Sequence, residues 1–527
     1  LAMVTYRPDF ADPWSTKSYY ARVRIDALSS SESGLMIDHL VGDDPTLDRW
    51  KSAVIGRTGG TPLFIEEVVR SAYLLGSLHG EPGSMPLADT SPSGQLPASV
   101  HTLVADRIGK LSVGARDLLS LAAVVGRDVP VPLLGSLIAG TLGARSDDLD
   151  ELQAAELLFG SRYQREPGFV FKHAVTQEVA YREMPQSRRR AHHRSVAEVL
   201  EASLAEGAPV SPELLARHHS GAEEYGPAIE AWVRAADSAT IAGALSDALD
   251  HLDAARSALP HTPDDRGRLE LLIELSAASA LVQDVGPADE AVEIAYRRAR
   301  LLAESAGTKH QQYEAAWGLW FVYLMRGQIS VARRLGDELF ALAEGLDDEA
   351  LLLEAHHVQW SGLSLAGDPL AVRHHTEIGM VQYRPEEHHR LTFSYGGHDP
   401  GVCSRNLDAM ALWLVGQPNL ARERSASALS LAADLDHPYT RLESFNSALN
   451  IALLDRDVEA LRVHSDVVHA LVGVGALPDV ASSYADGFRA NALVVAGDVE
   501  DGLAVMLAAA PVWQEFWGAW CFPLDSA

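Results

Sequence analysis

The segment GFVFKHAVTQEVAYREMPQSRRRAHHRSVAEVLE, residues 168–201, separates two different patterns in the sequence. Its start predicts a short strand over Phe169–Phe171, followed by His173 and a helix. An arginine-rich hinge then leads into another amphipathic helix. Upstream, helices alternate with short strands, whereas downstream the sequence becomes a long series of helical hairpins. Any signal that passes between the two regions must therefore cross this segment.

Turn signals recur downstream of Pro212 at a nearly constant spacing. They are separated by 43, 41, 40, 49, 40 and 41 residues and fall at Gly243, Gly286, Gly327, Gly367, Gly416, Arg456 and Gly497. A fixed period of this kind predicts a solenoid of helix pairs, with an irregular α-bundle as the alternative. The period exceeds the roughly 34 residues of a tetratricopeptide repeat, so we expect longer helices.

The region upstream of the segment predicts mostly helices. Apolar and β-branched runs predict strands over Leu1–Tyr6 and Ala21–Leu28. Ser29–Ser31 offers N-caps for a first helix, and Asp44-Pro45 starts a second one that ends at Gly59-Gly60. Further helical spacing begins at Pro62 and continues over Pro97–Leu111, Val113–Val125, Leu133–Ala139 and Asp148–Phe159. Helices followed by a small hairpin match a winged-helix subdomain, and a helical bundle with a stray hairpin is the alternative.

The composition limits the class of protein. The 527 residues carry 43 Lys and Arg against 72 Asp and Glu, a net charge of −29 that argues against a broad nucleic-acid surface. Two distant cysteines, Cys403 and Cys521, favour a reducing cytoplasm. No apolar run approaches the roughly 18 residues of a membrane helix. Because the strand at Leu1 has no predicted partner before it, we expect a fragment of a larger protein.

The sequence contains no signature of a catalytic centre. The phosphate-binding pattern G-x-x-x-x-G-K-[ST], the metalloprotease pattern H-E-x-x-H, the kinase catalytic loop and the nucleophile elbow G-x-S-x-G do not occur. We therefore predict no catalytic residue in this chain and expect no tight ATP binding by the chain alone.

Three positions nevertheless suggest contact with a nucleotide. Arg7 follows a strand, where a cation can approach a γ-phosphate. Gly60 and Pro62 place a tight turn and a rigid ring at a helix start, able to pack on a base. His173 begins a helix directly after a strand, where an imidazole can contact a diphosphate. Each has an ordinary structural alternative: an exposed arginine, helix capping with proline in the first turn, or a hydrogen-bonded histidine.

Adjacent histidines and a run of arginines are two further candidates. Neighbouring residues on a helix diverge by about 100°, so a histidine pair cannot chelate one ion unaided, and we predict no metal site. The run Arg188–Arg190 can bind a phosphate or an acidic partner, but in so acidic a chain it is expected to pair with the protein's own carboxylates. The histidine pairs lie at 192–193, 218–219, 356–357, 374–375 and 388–389.

Four segments resemble, in this order, the STAND-type ATPases: VTYRPDF (4–10), GGTPLFIEEVVR (59–70), ADRIGKLSVGARDLLSLAAVVGRD (105–128) and FKHAVTQEVAYREM (171–184). More narrowly, they resemble the AAA-like ATPase region of large bacterial signalling proteins with an N-terminal class III adenylate/guanylate cyclase domain, and large LuxR-type regulators share much of it. The segment YGGHDPGVCSRNLDAMALWLVGQPNLARERSASALSLAADLDHPY (395–439) is similar to the tetratricopeptide-rich tail of the cyclase group. The resemblance covers nearly the whole chain.

The resemblance implies roles for four residues. Arg7 matches the sensor arginine after the fourth core strand, and Pro62 with Gly60 matches the G-x-P element near the adenine. His173 matches a winged-helix histidine that holds ADP in the resting state, although the Asp that usually follows is Ala174 here. The implied cofactor is ATP or ADP, which would bind only with the help of a P-loop. The resemblance implies that the P-loop, the Walker B acids and the cyclase domain precede this chain.

The predicted fold is mainly α. It comprises a remnant of a P-loop α/β domain (1–28), a helical ATPase subdomain (29–96), a winged-helix-type subdomain (97–205) and a tetratricopeptide-like α-solenoid (206–527).

The implied function is that of a regulatory ATPase switch and protein-interaction region of a cytoplasmic bacterial signalling protein, with a nucleotidyl cyclase as the parent. A LuxR-type ATP-dependent transcription regulator and a stand-alone repeat scaffold are the alternatives. The expected partner is a protein or small ligand on the concave face of the repeats. We expect neither a membrane nor a nucleic acid to bind, and oligomer formation by the full-length protein is open.

Overall fold

The computed structural model of the protein describes residues 25–74, 77–78, 99–141, 146–161, 167–346, 348–393, 395, 398–435, 437–474 and 480–517. Arg7 and the predicted strand at Leu1–Tyr6 lie outside these described residues, as does the first half of the predicted strand at Ala21–Leu28. The last residues of that strand, 25–28, form no regular element. The chain divides into two compact units, Leu1–Glu206 and Gly207–Ala527.

The described part of the first unit contains helices and a small sheet. The strands are β1 (Asp128–Pro130), β2 (Leu158–Ser161) and β3 (Gly168–Phe171). The helices are α1 (Ser30–Val41), α2 (Asp48–Thr58), α3 (Pro62–Leu74), α4 (Val100–Gly109), α5 (Val113–Val125), α6 (Val131–Thr141), α7 (Ser146–Ala154), α8 (Ala174–Arg182) and α9 (Gln186–Ala205).

Local signals in the sequence account for the first helices of this unit. Ser29 is the N-cap of α1, as the sequence predicts, and its reciprocal hydrogen bonds with Glu32 form a capping box. The Asp44 carboxylate accepts a hydrogen bond from the backbone N–H of Thr46 at 2.9 Å before α2, and Gly59, with φ +57°, is the C-cap of α2. The apolar faces of α1, α2 and α3 meet in one core of Ile37, Val41, Leu47, Trp50, Val54, Phe64, Ile65, Val68 and Val69.

The sheet is antiparallel, and its strands lie in the order β1-β3-β2. The hairpin that the sequence predicts over 161–173 is present as β2 and β3, with Leu158 opposite Phe171, but its first strand starts earlier than predicted, at Leu158. Residues 162–166 of the predicted hairpin lie outside the described residues. Strand β1 falls in the Arg127–Pro132 stretch, where the sequence predicts only a break between helices. The predicted helix Asp148–Phe159 is wrong at its end, because α7 stops at Ala154 and Phe159 belongs to β2. Apolar residues continue through the boundary, so hydrophobicity alone does not mark it.

The second unit is a solenoid of helical hairpins, which confirms the predicted mainly-α fold. Each long helix packs against the next, and the first helices of several successive hairpins also touch. No helix among the described residues combines the length and apolarity needed to cross a bilayer. The helices are α10 (Pro212–Ala222), α11 (Tyr225–Ile241), α12 (Leu245–Ala258), α13 (Arg266–Val285), α14 (Glu290–Ala306), α15 (Lys309–Met325), α16 (Ile329–Glu344), α17 (Glu349–Leu365), α18 (Pro369–Gln382), α19 (Pro385–His388), α20 (Pro400–Leu414), α21 (Pro418–Leu435), α22 (Pro438–Leu454), α23 (Val458–Gly473), α24 (Val480–Ala496) and α25 (Val499–Trp517).

The periodic turns of the solenoid share one backbone conformation. All seven positions that the sequence spacing selects have positive φ, from +57° at Arg456 to +105° at Gly497. At six of them the next residue donates its backbone N–H to a carbonyl five residues back, as Gln417 does to Leu412 at 2.8 Å. This is the Schellman C-cap, which glycine favours because it adopts positive φ without a Cβ clash. Gly286 lacks that bond, and there the turn leads into a longer connection.

Arg456 is the one non-glycine residue among these seven turn positions, which gives a stability prediction. Its φ of +57° is unfavourable for a residue with a side chain, so Arg456→Gly should stabilise the α22–α23 hairpin by roughly 1 kcal/mol. Hydrogen-exchange protection of α22 and α23 is the measurement, and it should rise. The reciprocal control is Gly416→Ala, which should lose a similar amount of stability because Gly416 has φ +81°. A Cβ added there would meet nothing within 4 Å, so a steric clash does not contribute to that loss. Shifts of the same sign in the two variants, or a loss of protection in Arg456→Gly, would contradict the backbone explanation.

Candidate functional site

The turn before α3 brings two backbone segments of the first unit into close contact. Gly60 has φ +74°, and a Cβ added to it would lie 2.0 Å from the carbonyl oxygen of Leu28. The Leu28 N–H donates to the Gly60 carbonyl at 2.9 Å, and the Thr61 carbonyl accepts from the N–H groups of Phe64 and Ile65. Pro62 is the first residue of α3 and is exposed. The turn therefore requires glycine on structural grounds and leaves the proline ring accessible to a ligand.

His173 lies between β3 and α8, as the sequence predicts. It is the N-cap residue of α8 with extended backbone angles, and its side chain makes no capping hydrogen bond. Its Nε2 atom is buried and has no hydrogen-bond partner among the described residues. Burial, and then the charge of Lys172, hold the pKa of the imidazole below its usual range, against the opposing influence of Glu66 and Glu67. At neutral pH His173 is therefore uncharged and keeps one ring nitrogen available to a ligand.

A buried ion pair adjoins His173 and ties α3 to α4. Both carboxylate oxygens of Glu67 accept from the guanidinium Nη1 of Arg107, at 2.6 and 2.8 Å, and both side chains are nearly inaccessible to solvent. The Nη2 atom of Arg107 donates to the carbonyl of Ala155, just after α7. One guanidinium thus connects α3, α4 and the approach to β2, which is the arrangement that a planar five-donor group favours.

A second, more exposed set of charges lies beside this pair. The Glu156 carboxylate accepts hydrogen bonds from Arg70 on α3 and from Lys172, the latter at 3.0 Å. These contacts, Arg70 first, lower the pKa of Glu156. The backbone of Glu156 has φ +51°, so that it turns sharply between α7 and β2. Lys172 directly precedes His173, so the contacts of Glu156 with Arg70 and Lys172 hold the end of β3 near α3.

The structure places Gly60 and Pro62 at the start of α3, and His173 within range of charges that the same helix carries. Gly60 and Pro62 form the start of α3, and the charges of Glu66 and Glu67, one turn further along, act on His173. This relation was not visible in the sequence, because more than a hundred residues separate the histidine from α3. The arrangement offers an exposed apolar ring and a neutral imidazole, which are groups for binding a ligand rather than for a covalent step.

The arginine run lies in a helix rather than in a hinge. Arg188–Arg190 occupy the first turn and a half of α9, and the connection after α8 is the short stretch 183–185. Arg188 pairs with Asp117 of α5 at 2.5 Å, and Arg189 donates to the backbone carbonyls of Arg182 and Met184. The predicted pairing with the protein's own carboxylate therefore holds for Arg188, whereas Arg189 binds main-chain oxygens.

The second unit contains a cluster of buried polar side chains between α17 and α20. The Nε2 atoms of His357 and His398 are 3.1 Å apart, and the Nδ1 atom of His357 lies 3.1 Å from Glu354 Oε2. One ligand atom from each of His357, His398 and Cys403 lies within 4.8 Å of the others. Burial lowers the pKa of His357 to about 4 and raises that of Glu354.

Other acidic residues surround this cluster. Asp399 is fully buried, caps α20 through the N–H groups of Gly401 and Val402, and accepts from the Tyr383 hydroxyl at 2.8 Å. Its charge acts on both Glu354 and Glu443, and burial chiefly raises the pKa of Glu443 to about 8. A region that keeps several carboxyl groups out of water is costly unless a counter-charge or protons compensate.

The pattern of adjacent histidines in the sequence does not reveal this cluster. His356 and His357 do diverge, as predicted: His356 contacts His375, whereas His357 contacts His398. The partner His398 lies 41 residues after His357, which is one period of the repeat. The same separation joins Asp399 to Thr440 and Asn406 to Ser447. Polar residues spaced by one repeat period were therefore the feature of the sequence that could have indicated this cluster.

Comparison with solved structures shows a likeness of fold, whereas comparison with protein families and curated proteins shows none. No protein-family model matches the chain. No curated protein matches it either. The fold is similar to the crystal structure of a Signal Transduction ATPase with Numerous Domains (STAND) protein with a tetratricopeptide repeat sensor from Pyrococcus horikoshii. The two chains are 12% identical, the match covers 92% of this chain and 72% of that one, and the TM-score is 0.42.

Proposed function

We propose that the chain is a regulatory switch and ligand-recognition region of a signalling protein. In this proposal residues 1–206 respond to ADP or ATP held together with a P-loop elsewhere in the protein. The observation that carries it is the position of His173, whose buried Nε2 has no partner among the described residues, beside the helix that starts at Gly60 and Pro62. A neutral imidazole there can donate a hydrogen bond to a diphosphate. The bond forms with one nucleotide state and breaks in the other, so that His173 distinguishes the two states.

The element order of residues 113–171 supports a winged helix within this switch. Helix α5, strand β1, helices α6 and α7 and the hairpin β2–β3 follow one another, and the three strands pair in the order β1-β3-β2. Helix α7 would be the recognition helix of a DNA-binding version. It carries Asp147, Asp148, Asp150 and Glu151 and no Lys or Arg, so it would repel phosphates. We therefore propose a winged helix that contacts protein and nucleotide rather than DNA.

The repeats of residues 207–527 complete the proposal as the part that recognises a protein or small ligand. Their output partner is proposed to be a class III adenylate/guanylate cyclase domain, on the resemblance of residues 395–439. A LuxR-type regulator is the alternative, and the acidic α7 requires that any DNA-binding helix-turn-helix of such a regulator lie outside this winged helix. The sequence on either side of the chain in its gene distinguishes the two.

Removal of the His173 imidazole is the experiment that tests the switch. In the longer protein with its P-loop, His173→Ala should accelerate ADP release about ten- to a hundredfold, because a hydrogen bond to a charged group contributes roughly 1.5–3 kcal/mol. Basal output should rise as the ADP-held state weakens. Dissociation of a fluorescent ADP analogue is the measurement.

His192→Ala is a matched control for this experiment. The Nε2 atom of His192 is also buried without a partner among the described residues, and burial also lowers its pKa, but the charges that act on it come from Arg188 and Asp117 rather than from α3. ADP release should be unchanged in this variant. If His173→Ala and His192→Ala release ADP equally fast, His173 does not contact the nucleotide.

A further inference from the structure

Two histidines and a cysteine in the second unit converge on one point. His357 belongs to α17, His398 precedes α20 by two residues, and Cys403 lies in the first turn of α20. His357 and Cys403 are buried, and His398 is half-buried. Imidazole nitrogen and thiolate sulfur are the donors that Zn²⁺ favours.

The spacing of the two imidazoles suits a shared cation. Two nitrogens bound to a tetrahedral zinc at about 2.0–2.1 Å lie roughly 3.3 Å apart. The His357 and His398 Nε2 atoms are 3.1 Å apart. If the Nδ1–H group of His357 donates to Glu354, its Nε2 carries a lone pair directed at His398. That lone pair accepts a hydrogen bond from the Nε2–H group of His398 when the site is empty and binds a metal when one is present.

The outer contacts of His357 are those of a metal-ligating histidine. Such a histidine usually donates its other ring N–H to a carboxylate, which fixes the tautomer and raises the basicity of the ligand. Glu354 Oε2 lies 3.1 Å from His357 Nδ1, and Glu354 is completely buried. The other oxygen, Oε1, has no hydrogen-bond partner among the described residues. A buried carboxylate of this kind is stabilised when its histidine partner binds a cation.

We propose that His357, His398 and Cys403 bind Zn²⁺, with Glu354 as the carboxylate that orients His357. The fourth ligand is water or a group of the sensed ligand, because His398 is partly open to solvent while the other two residues are buried. Zinc displaces the thiol proton of Cys403 to solvent and connects α17 with α20, one repeat further along the solenoid. This inference does not depend on the nucleotide switch.

Metal binding by the complete 527-residue chain tests this proposal. After dialysis against a chelator, the chain should bind one Zn²⁺ in competition with a chromophoric zinc indicator. Cys403→Ser and His398→Ala should each weaken the binding at least about a hundredfold, and Glu354→Gln about ten- to a hundredfold. With Co²⁺, the wild-type chain should show the thiolate charge-transfer absorption of a tetrahedral sulfur-ligated ion, and Cys403→Ser should lack it.

The chain offers a matched control in a second histidine pair. His356 and His375 approach with their Nδ1 atoms 2.9 Å apart, and no cysteine joins them among the described residues. His375→Gln should leave the zinc affinity and the cobalt spectrum unchanged. Zinc binding that survives Cys403→Ser, cobalt binding without thiolate absorption, or no binding by the wild-type chain would each overturn the proposal. Unchanged circular dichroism of the variants ensures that lost binding is not lost folding.

Discussion

Replacement of Arg107 by methionine is expected to destabilise the first unit by about 3–5 kcal/mol, because it leaves the buried Glu67 carboxylate without its partner. Glu67 is 5% exposed, and both of its oxygens accept from Arg107. The change also removes a donor from the carbonyl of Ala155. Methionine keeps much of the length of arginine, so the loss measures the charge and its hydrogen bonds more than the packing of the stem.

Hydrogen exchange of peptides from α3 and α4 is the measurement, since a chain of two units does not unfold in a single two-state step. A loss of about 3 kcal/mol accelerates exchange from the globally opened state by a factor of about 10². The control is Arg70→Met, because the Arg70–Glu156 pair belongs to the same region but is partly exposed and should contribute about 1 kcal/mol or less. Equal acceleration in the two variants would contradict the assignment of Arg107–Glu67 as the stabilising pair.

A double variant separates the cost of the lone charge from the value of the pair. Glu67→Met with Arg107→Met removes both charges, and buried ion pairs replaced by apolar residues often lose little stability. It should therefore be more stable than Arg107→Met alone, while the carbonyl of Ala155 still lacks its donor. If the double variant were as unstable as the single one, the guanidinium–carbonyl bond rather than the buried charge would account for the loss.

The repeat architecture could be predicted from the sequence because its determinants are local. A left-handed C-cap favours glycine directly after the helix end, so the turns from Gly243 to Gly497 are visible as a period. The same holds for the Ser29 capping box and for the start of α3 at Pro62. The short strand β1 could not be predicted, because three residues that pair only with β3 carry no alternation of their own.

The neighbours of the candidate residues could not be predicted from the same patterns. His173 owes its neutral state to burial and lies near Glu66 and Glu67, which are distant in sequence. Which side chains of successive hairpins meet depends on the rotation of each helix about its axis, and hydrophobic periodicity fixes that rotation only to within a broad face. The His357–His398 contact is therefore compatible with the repeat period, but the period does not require it.

Substitution of Gly318 by alanine is expected to destabilise the second unit by about 1–3 kcal/mol, although alanine is the better helix former by roughly 1 kcal/mol. Gly318 lies within α15, and the ring of Tyr296 from α14 packs directly on it. A Cβ at Gly318 would lie 2.1 Å from Tyr296 Cε1 and 2.3 Å from Cδ1. Tyr296 is itself buried among Val292, Leu319 and Val322, so its ring cannot move aside without displacing that core.

Gly362→Ala is the matched control, because Gly362 also lies inside a helix, α17, and a Cβ there would meet nothing within 4 Å. That variant should gain roughly 0.5–1 kcal/mol from helix propensity alone. Hydrogen-exchange protection of α14–α15 and of α17 should thus change in opposite directions. Adding Tyr296→Leu to Gly318→Ala should recover part of the loss, with a coupling of about 0.5–3 kcal/mol between contacting residues. Two losses of equal size in Gly318→Ala and Gly362→Ala, or no coupling to Tyr296, would show that ring contact does not set the spacing of these helices.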